Sequence, residues 1–256
     1  MESFKEFKQK VLHEKEDLFA ILFLSPITIR LAYLIKRFNI KILPNQVTYS
    51  RLFFFSPLII LCLLLAPLFH LKILYLVALI LSYLFLLSDW LDGQLARGTD
   101  NTSPKGAFLD SIADRFSTII FMVLLFSLGL WLKDLYLVYG SIILFTLKSF
   151  HLMVITKAYF YGINGNDNSI FSGIKAFKQT GIDLIFKILK KINSVLKIKR
   201  WDEGIGGAER FFLTIMLPLI LIVYNQNPLI YLYLLTIFFI IFFLIRIKNL
   251  FKDQLK

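Results

Sequence analysis

Four of the aspartates in the segment 88–115 have a spacing that places them on two helix faces. The segment reads SDWLDGQLARGTDNTSPKGAFLDSIADR. Asp89 and Asp92 are three residues apart, and Asp110 and Asp114 are four residues apart, so each pair occupies one face of a helix. Two antiparallel helices can bring such faces together. The spacing therefore predicts a cluster of carboxylates rather than four isolated charges.

Clustered carboxylates repel one another and need a positive partner. Arg97 and Arg115 are near in sequence, but a hard divalent cation meets this need better. Carboxylate oxygens without histidine or cysteine suit Mg²⁺ or Mn²⁺, and four of them can hold two ions. Such ions often bind substrate phosphates at their open coordination sites. We therefore expect a phosphorylated substrate, with a diphosphate as the favoured group.

Small residues accompany the aspartates at both helix ends. Gly93 and Ala96 lie on the turn after the first pair, and Gly106 lies one turn before the second. These residues leave the backbone open to the close approach of a ligand, and Arg97 can then reach a phosphate. Taken singly, each small residue has the alternative explanation of close helix packing.

The elements that must position this cluster are long apolar blocks. The chain has 256 residues, of which 57% are hydrophobic and 27 are phenylalanine. Blocks of roughly 17 to 25 apolar residues are long enough to cross a bilayer. We therefore predict an all-α integral membrane protein with six transmembrane helices. They run near 49–68, 72–88, 108–131, 135–156, 208–224 and 228–247.

The distribution of charge predicts the orientation of these spans. The net charge is +12, yet the three short turns between paired spans carry only Lys72 and Lys133. Most other lysines and arginines lie near the N-terminus, in 157–206 and near the C-terminus. By the positive-inside rule, both termini and the aspartates are expected in the cytoplasm. The basic surface then faces anionic lipid headgroups, and no nucleic-acid-binding pattern accompanies it.

Two further segments are predicted to lie in the membrane interface. The segment 17–40 mixes apolar residues with basic ones, and Pro26 stands where it can open a helix. A seventh span is the alternative, although Pro26 and Arg30 interrupt the apolar run. The segment 170–200 alternates apolar residues with lysines, which favours a second interfacial helix over a solvated basic loop.

These elements divide the chain into three predicted parts. Residues 1–43 form an N-terminal cytoplasmic and interfacial segment, and residues 44–247 form the six-helix membrane domain, which includes the basic cytoplasmic loop 157–206. Residues 248–256 form a cytoplasmic tail. The single cysteine, Cys62, lies in an apolar run and has no partner for an internal disulfide.

The aspartate segment resembles the signature of the CDP-alcohol phosphotransferases, DxxDGxxARx₈GxxxDxxxD, at every fixed position and in every gap. The resemblance covers about residues 44–247, although the signature alone is specific. It implies that Asp89, Asp92, Asp110 and Asp114 hold two metal ions that bridge to the diphosphate of a CDP-linked donor. It also implies that Asp114 acts as the base on the acceptor hydroxyl, and that the protein is a homodimer.

The same resemblance implies a nucleotide site. Gly93, Ala96, Arg97 and Gly106 would form it. The stretch PNQVTYSR before the first span is similar to the family's PNxxTxxR opening, which places Asn45 and Thr48 near the nucleotide. Helix capping is the alternative role for these two residues.

The implied reaction transfers a substituted phosphate from a CDP-linked donor to an alcohol, with release of CMP, in phospholipid biosynthesis. CDP-diacylglycerol is the first candidate donor. The alternative is a CDP-linked amino alcohol, with diacylglycerol as acceptor. Arg210 and Lys148 are candidate acceptor-binding residues, although Arg210 also suits a place beside a span, and Lys148 can extend toward the cytoplasm.

Two alternatives from other classes remain for the same carboxylates. A divalent-cation transporter or channel would use the four aspartates but not Arg97 and the glycines at fixed spacing. A scaffold without catalysis is disfavoured by the complete set of aspartates.

Overall fold

The structure is a computed structural model that describes residues 3–12, 19–160 and 207–254. Within these ranges the regular elements are helices, with no strand. The all-α prediction is therefore confirmed for the described part of the chain. The predicted interfacial helix at 170–200 and most of the basic loop 157–206 lie outside the described residues.

Eight helices make up the described part. They are α1 (Phe4–Val11), α2 (Ser25–Arg37), α3 (Pro44–Phe69), α4 (Ile73–Gly98), α5 (Pro104–Trp131), α6 (Leu135–Phe160), α7 (207–223) and α8 (Leu229–Gln254). Every predicted span falls inside one of α3 to α8 to within one residue at its ends. Turns of a few residues separate α3 from α4, α4 from α5, α5 from α6 and α7 from α8, which is why the positions of these helices follow from the sequence.

Among the described helices, α3, α4 and α5 are long and apolar enough to cross a membrane. They have 26, 26 and 28 residues, and the most apolar window of each has a mean hydropathy of 2.6, 2.0 and 1.7. At about 1.5 Å per residue, each exceeds the roughly 30 Å of hydrocarbon. Shorter apolar helical stretches occupy Leu135–Phe150, Phe212–Val223 and Leu229–Ile241. The chain is thus a multi-pass membrane protein, and the full count of six spans remains a prediction.

Three π-helical turns in the described residues share one local cause. They span Ala20–Leu24, Arg51–Phe55 and Phe212–Met216, and the second residue after each is a proline, Pro26, Pro57 or Pro218. Proline has no N–H to donate and its ring clashes with the preceding turn, so the helix widens there. The turn at Arg51–Phe55 matters most, because it lies beside the aspartates. Helical backbone also precedes Pro26, so this proline does not open the helix as predicted.

The helices that carry the aspartates belong to one packed unit. α3 packs against both α4 and α5, and α2 and α7 pack on α4. Near the start of α4, the Tyr75 hydroxyl lies 2.9 Å from Ser127 Oγ on α5. Ser127 Oγ in turn donates to the Leu63 carbonyl on α3. These buried hydrogen bonds join α3, α4 and α5 at the end remote from the aspartates. They help to hold the relative positions of the three helices.

Candidate active site

The facing ends of α4 and α5 bring the aspartates together. One carboxylate oxygen from each of Asp89, Asp92 and Asp110 lies within 4.8 Å of the others. Asp114 is set one turn further along α5 from Asp110. The pairs at three- and four-residue spacing therefore meet across the two helices, as their sequence positions predict.

The four carboxylates differ strongly in exposure. The side chain of Asp92 is 9% exposed and that of Asp89 is 22% exposed. The values rise to 46% for Asp110 and 65% for Asp114. Asp92 also accepts a hydrogen bond of 2.7 Å from Thr48 Oγ1 on α3. Asp92 is thus the most fixed of the four, and Asp114 is the one that a substrate reaches most easily.

A buried arginine lies at the centre of the cluster. Arg51, in the π-helical turn of α3, has 0% exposure, and its Nη1 contacts Asp89. Its Nη2 lies 2.5 Å from Asp110 Oδ1 and 3.5 Å from Asp92 Oδ2. Its Nη1 is 4.0 Å from Asp114 Oδ1. One guanidinium therefore lies among all four carboxylates and supplies part of the positive charge they need.

Arg51 is not among the residues that the sequence singled out. It is the last residue of PNQVTYSR and lies three residues after Thr48, so both side chains lie on one helix face. An arginine within a predicted span usually faces the interior of the bundle and has a partner there. That rule could have predicted that Arg51 has an acidic partner inside the bundle. The sequence does not show which acidic groups Arg51 contacts.

The cluster also fits a divalent metal ion by the chemistry of its donors. Asp89, Asp92 and Asp110 offer oxygen ligands only, which suits hard cations such as Mg²⁺ and Mn²⁺. Their oxygens come from two helices and lie within 4.8 Å of one another. A single guanidinium leaves four carboxylates with excess negative charge, so further positive charge is favoured at this site.

All six residues predicted for the nucleotide line one cavity beside the cluster. Its volume is about 240 Å³, and Asp92 and Asp110 form its wall nearest the other aspartates. The six residues are Asn45, Thr48, Gly93, Ala96, Arg97 and Gly106. We call this the smaller cavity. It lies between the start of α3, the end of α4 and the start of α5.

Gly106 lies close to two polar side chains at the wall of this cavity. A Cβ atom on Gly106 would lie 3.0 Å from Asn45 Oδ1 and 3.3 Å from Ser103 Oγ.

The N-cap of α3 is Leu43, so neither Asn45 nor Thr48 holds the capping position that was the alternative role. Both side chains are positioned at the cavity wall instead.

A larger cavity lies on the other side of the cluster. It has a volume of about 510 Å³, and Asp89 and Asp114 lie in its wall. Arg210 on α7 also lines it, together with aromatic side chains that include Phe85 and Phe211. These two rings stack with centroids 5.3 Å apart. Apolar walls with one arginine and a carboxylate suit a ligand that has a polar, anionic end.

The candidate acceptor residues differ in position. Arg210 shares the larger cavity with Asp114, as the prediction requires. Lys148 is partly buried on α6 and is absent from the described linings of both cavities. The geometry therefore favours Arg210 over Lys148 as a residue that meets a ligand near Asp114.

Comparison with known proteins agrees with this site. Residues 41–244 match the family described as CDP-alcohol phosphatidyltransferase. The chain is also similar to a CDP-diacylglycerol–glycerol-3-phosphate 3-phosphatidyltransferase from Pseudomonas fluorescens, with 50% identity over 38 residues. That match covers 15% of this chain and 20% of the relative. The family match extends over α3 to α7 and most of α8, so the chain belongs to the CDP-alcohol phosphatidyltransferase family, whose members are phosphotransferase enzymes.

Proposed function

We propose that this enzyme transfers the phosphatidyl group of CDP-diacylglycerol to a phosphorylated polar alcohol and releases CMP. Glycerol 3-phosphate is the proposed acceptor. The observation that carries the proposal is the position of the aspartates between two cavities. The smaller cavity is lined by the six nucleotide residues, and the larger one by Asp114 and Arg210. A donor and an acceptor bound in these cavities meet at the carboxylates.

The donor side has the chemistry of a nucleotide diphosphate site. Asn45 supplies a side-chain amide that can hydrogen-bond a base or a sugar, and Gly93 and Gly106 leave room at the wall. Arg97 supplies a guanidinium that suits a phosphate. A divalent metal ion, Mg²⁺ or Mn²⁺, would be held by Asp89, Asp92 and Asp110, with a second ion completed by Asp114. When bound, such ions neutralise the diphosphate and stabilise the departing CMP.

The acceptor side has a base and an anion-binding group in one cavity. Asp114 is the most exposed of the four carboxylates, and Arg210 lines the same space. We assign to Arg210 the phosphate of the acceptor, because a guanidinium pairs well with phosphate oxygens. This contact turns the acceptor hydroxyl toward Asp114. The named substrates of the Pseudomonas fluorescens relative, CDP-diacylglycerol and glycerol 3-phosphate, support this choice.

The proposed reaction then balances as a single displacement. The acceptor oxygen forms a bond to the phosphorus that carries the diacylglycerol, and the bond from that phosphorus to the bridging oxygen breaks. CMP leaves with the electron pair of that bond. Asp114 accepts the proton of the acceptor hydroxyl.

We propose the following arrangement in the cell, from the charge pattern and the family. The chain crosses the membrane six times, with both termini and the aspartates on the cytoplasmic side. Residues 1–43, 44–247 and 248–256 form the N-terminal segment, the membrane domain and the tail. The residues before α3 lie along the membrane interface. Two copies form a homodimer.

The proposed substrates are tested by measuring which pair of donor and acceptor gives a lipid product. Purified protein is supplied with Mg²⁺ or Mn²⁺ and either CDP-diacylglycerol with glycerol 3-phosphate, or CDP-choline or CDP-ethanolamine with diacylglycerol. We expect phosphatidylglycerol phosphate from the first pair and no lipid product from the others. A lipid product from CDP-choline or CDP-ethanolamine with diacylglycerol would show that the acceptor, and not the donor, carries the lipid. Metal flux without any CMP release would favour the transporter alternative.

Arg210→Ala is expected to raise the KM for glycerol 3-phosphate by about tenfold to a hundredfold. A hydrogen bond to a charged group contributes about 1.5–3 kcal/mol, and each 1.4 kcal/mol changes an affinity about tenfold. Initial rates of CMP release at saturating donor measure this change. The KM for CDP-diacylglycerol should stay unchanged, because Arg210 does not line the smaller cavity. Arg30→Ala, at an exposed arginine on α2, is the matched control and should alter neither constant. An unchanged acceptor KM in Arg210→Ala would exclude Arg210 from the acceptor site.

A further inference from the structure

The short N-terminal helix α1 is docked on the end of α4 by its apolar face. Phe7 and Val11 are 1% and 0% exposed, and they pack with Ile29, Ala32 and Leu95. The Phe7 ring lies under Lys36 Nζ, which is 5.3 Å from the ring centroid. Burial this complete, in a helix of only 8 residues, indicates a fixed position rather than a loose terminus.

Gly98 makes this docking possible. A Cβ atom on Gly98 would lie 2.5 Å from Cε2 of Phe7 and 3.2 Å from Cγ1 of Val11. The first distance is shorter than any ordinary carbon contact. α1 therefore touches the backbone of α4 at the residue that directly follows Arg97.

Two polar contacts fix the same arrangement. Lys36 Nζ on α2 donates to the Gly98 carbonyl at 2.8 Å. Lys10 Nζ on α1 lies 2.5 Å from Asp100 Oδ2, and this hydrogen bond lowers the pKa of the Asp100 carboxyl. An exposed ion pair contributes little stability, but it sets which face of α1 meets the loop after α4.

The docked helix holds Arg97 directly. Arg97 Nε donates a hydrogen bond of 3.0 Å to the Val11 carbonyl. This carbonyl belongs to the last turn of α1, where carbonyls lack helical partners and the helix dipole favours a cation. The guanidinium lies against Gly93, since a Cβ atom there would be 3.3 Å from Nη1. Arg97 also lines the smaller cavity with Asp92 and Asp110.

We propose that α1 is a part of the donor site: its Val11 carbonyl orients the Arg97 guanidinium across the smaller cavity for the diphosphate of the CDP-linked donor. Phe7 and Gly98 are then positioning residues, since they act through Arg97. The proposal rests on the proposed function of the smaller cavity. It extends the site to residues 3–12, which lie before the region that matches the family.

The test is the kinetics of Phe7→Ala in the full-length protein. CMP release is measured against CDP-diacylglycerol concentration, with acceptor and metal saturating. We expect the KM for the donor to rise about tenfold, while kcat stays within about twofold and the KM for the acceptor is unchanged. A loss of folded protein alone would lower the apparent kcat and leave both KM values as they were. Phe38→Ala, at an exposed phenylalanine that caps α2, is the matched control.

A double mutant separates an effect through Arg97 from a general one. In Arg97→Lys the Nε that donates to the Val11 carbonyl is absent. The donor KM of the double mutant Arg97→Lys with Phe7→Ala should therefore exceed that of Arg97→Lys by less than twofold. If Phe7→Ala does not give folded protein, Phe7→Leu is expected to show the same change in the donor KM to a smaller degree.

Three outcomes would overturn the inference. An unchanged donor KM in an active Phe7→Ala or Phe7→Leu enzyme would exclude a role for α1 in the donor site. An equal rise in the wild-type and Arg97→Lys backgrounds would show that α1 does not act through Arg97. Absence of CMP release by the wild-type protein would contradict the proposed function itself, and this inference with it.

Discussion

Asp114→Asn is expected to slow CMP release by about 10²–10⁴-fold. General base catalysis contributes a factor of this size, and an asparagine amide cannot accept the proton of the acceptor hydroxyl. The substitution keeps the size of the side chain, so the KM for CDP-diacylglycerol should change little. Steady-state rates of CMP release at saturating donor and acceptor measure the loss. Full activity in Asp114→Asn would contradict the assignment of the base.

Asp92→Asn is the matched comparison at the opposite side of the cluster. Asp92 is the most buried of the four carboxylates and takes the hydrogen bond from Thr48. Its oxygen also belongs to the trio that fits a metal ion. We therefore expect the half-saturating concentration of Mg²⁺ or Mn²⁺ to rise more in Asp92→Asn than in Asp114→Asn. The reverse order would contradict the division of roles between these two carboxylates.

Arg51→Met is expected to make the stability of the protein depend on divalent metal. Removing one partner of a buried ion pair costs about 3–5 kcal/mol, because the other charge is left without compensation. Here the guanidinium is 0% exposed, and four carboxylates would be left to repel one another. In the absence of metal, the melting temperature in detergent should fall by about 10 °C.

Addition of Mg²⁺ or Mn²⁺ should restore part of this loss. A ligand that binds the folded state raises its stability by mass action, and without Arg51 no fixed cation opposes the incoming ion. The rise in melting temperature on adding metal should therefore be larger in Arg51→Met than in the wild type. Arg30→Met, on the exposed face of α2, should show neither effect. An Arg51→Met protein as stable as the wild type without metal would show that the guanidinium does not compensate the cluster.

The positions of the helices and the meeting of the aspartates were predictable from sequence for one physical reason. Apolar blocks long enough to cross a bilayer are separated by polar segments, and a helix fixes which residues share a face. The pairs Asp89 with Asp92 and Asp110 with Asp114 lie on adjacent antiparallel helices. Their convergence therefore needs only one local turn, at 99–103.

The central arginine and the docking of α1 were not predictable in the same way. Arg51 meets Asp110, which is 59 residues away along the chain. Val11 and Arg97 are 86 residues apart. Such contacts depend on how whole helices pack, and no periodicity within a single segment encodes them. Proline at Pro57 marks the widened turn that holds Arg51, but it does not show which side chains that turn meets.

The division of the site into two cavities also needed the structure. The sequence placed Asn45 and Thr48 in the nucleotide site through the resemblance alone. It gave Arg210 as a candidate acceptor-binding residue, with a place beside a span as the alternative. The structure shows that Asp92 and Asp110 face one cavity while Asp89 and Asp114 face the other, because the two members of each pair lie one helical turn apart.

Release of CMP by the purified protein is the most direct measurement of the proposed reaction. The protein is given CDP-diacylglycerol and glycerol 3-phosphate, with Mg²⁺ or Mn²⁺ or with a chelator. We expect CMP and lipid product in equal amounts with at least one metal, and neither product with the chelator. Absence of CMP from every CDP-linked donor with both metals would contradict the assignment of this site to phosphotransfer.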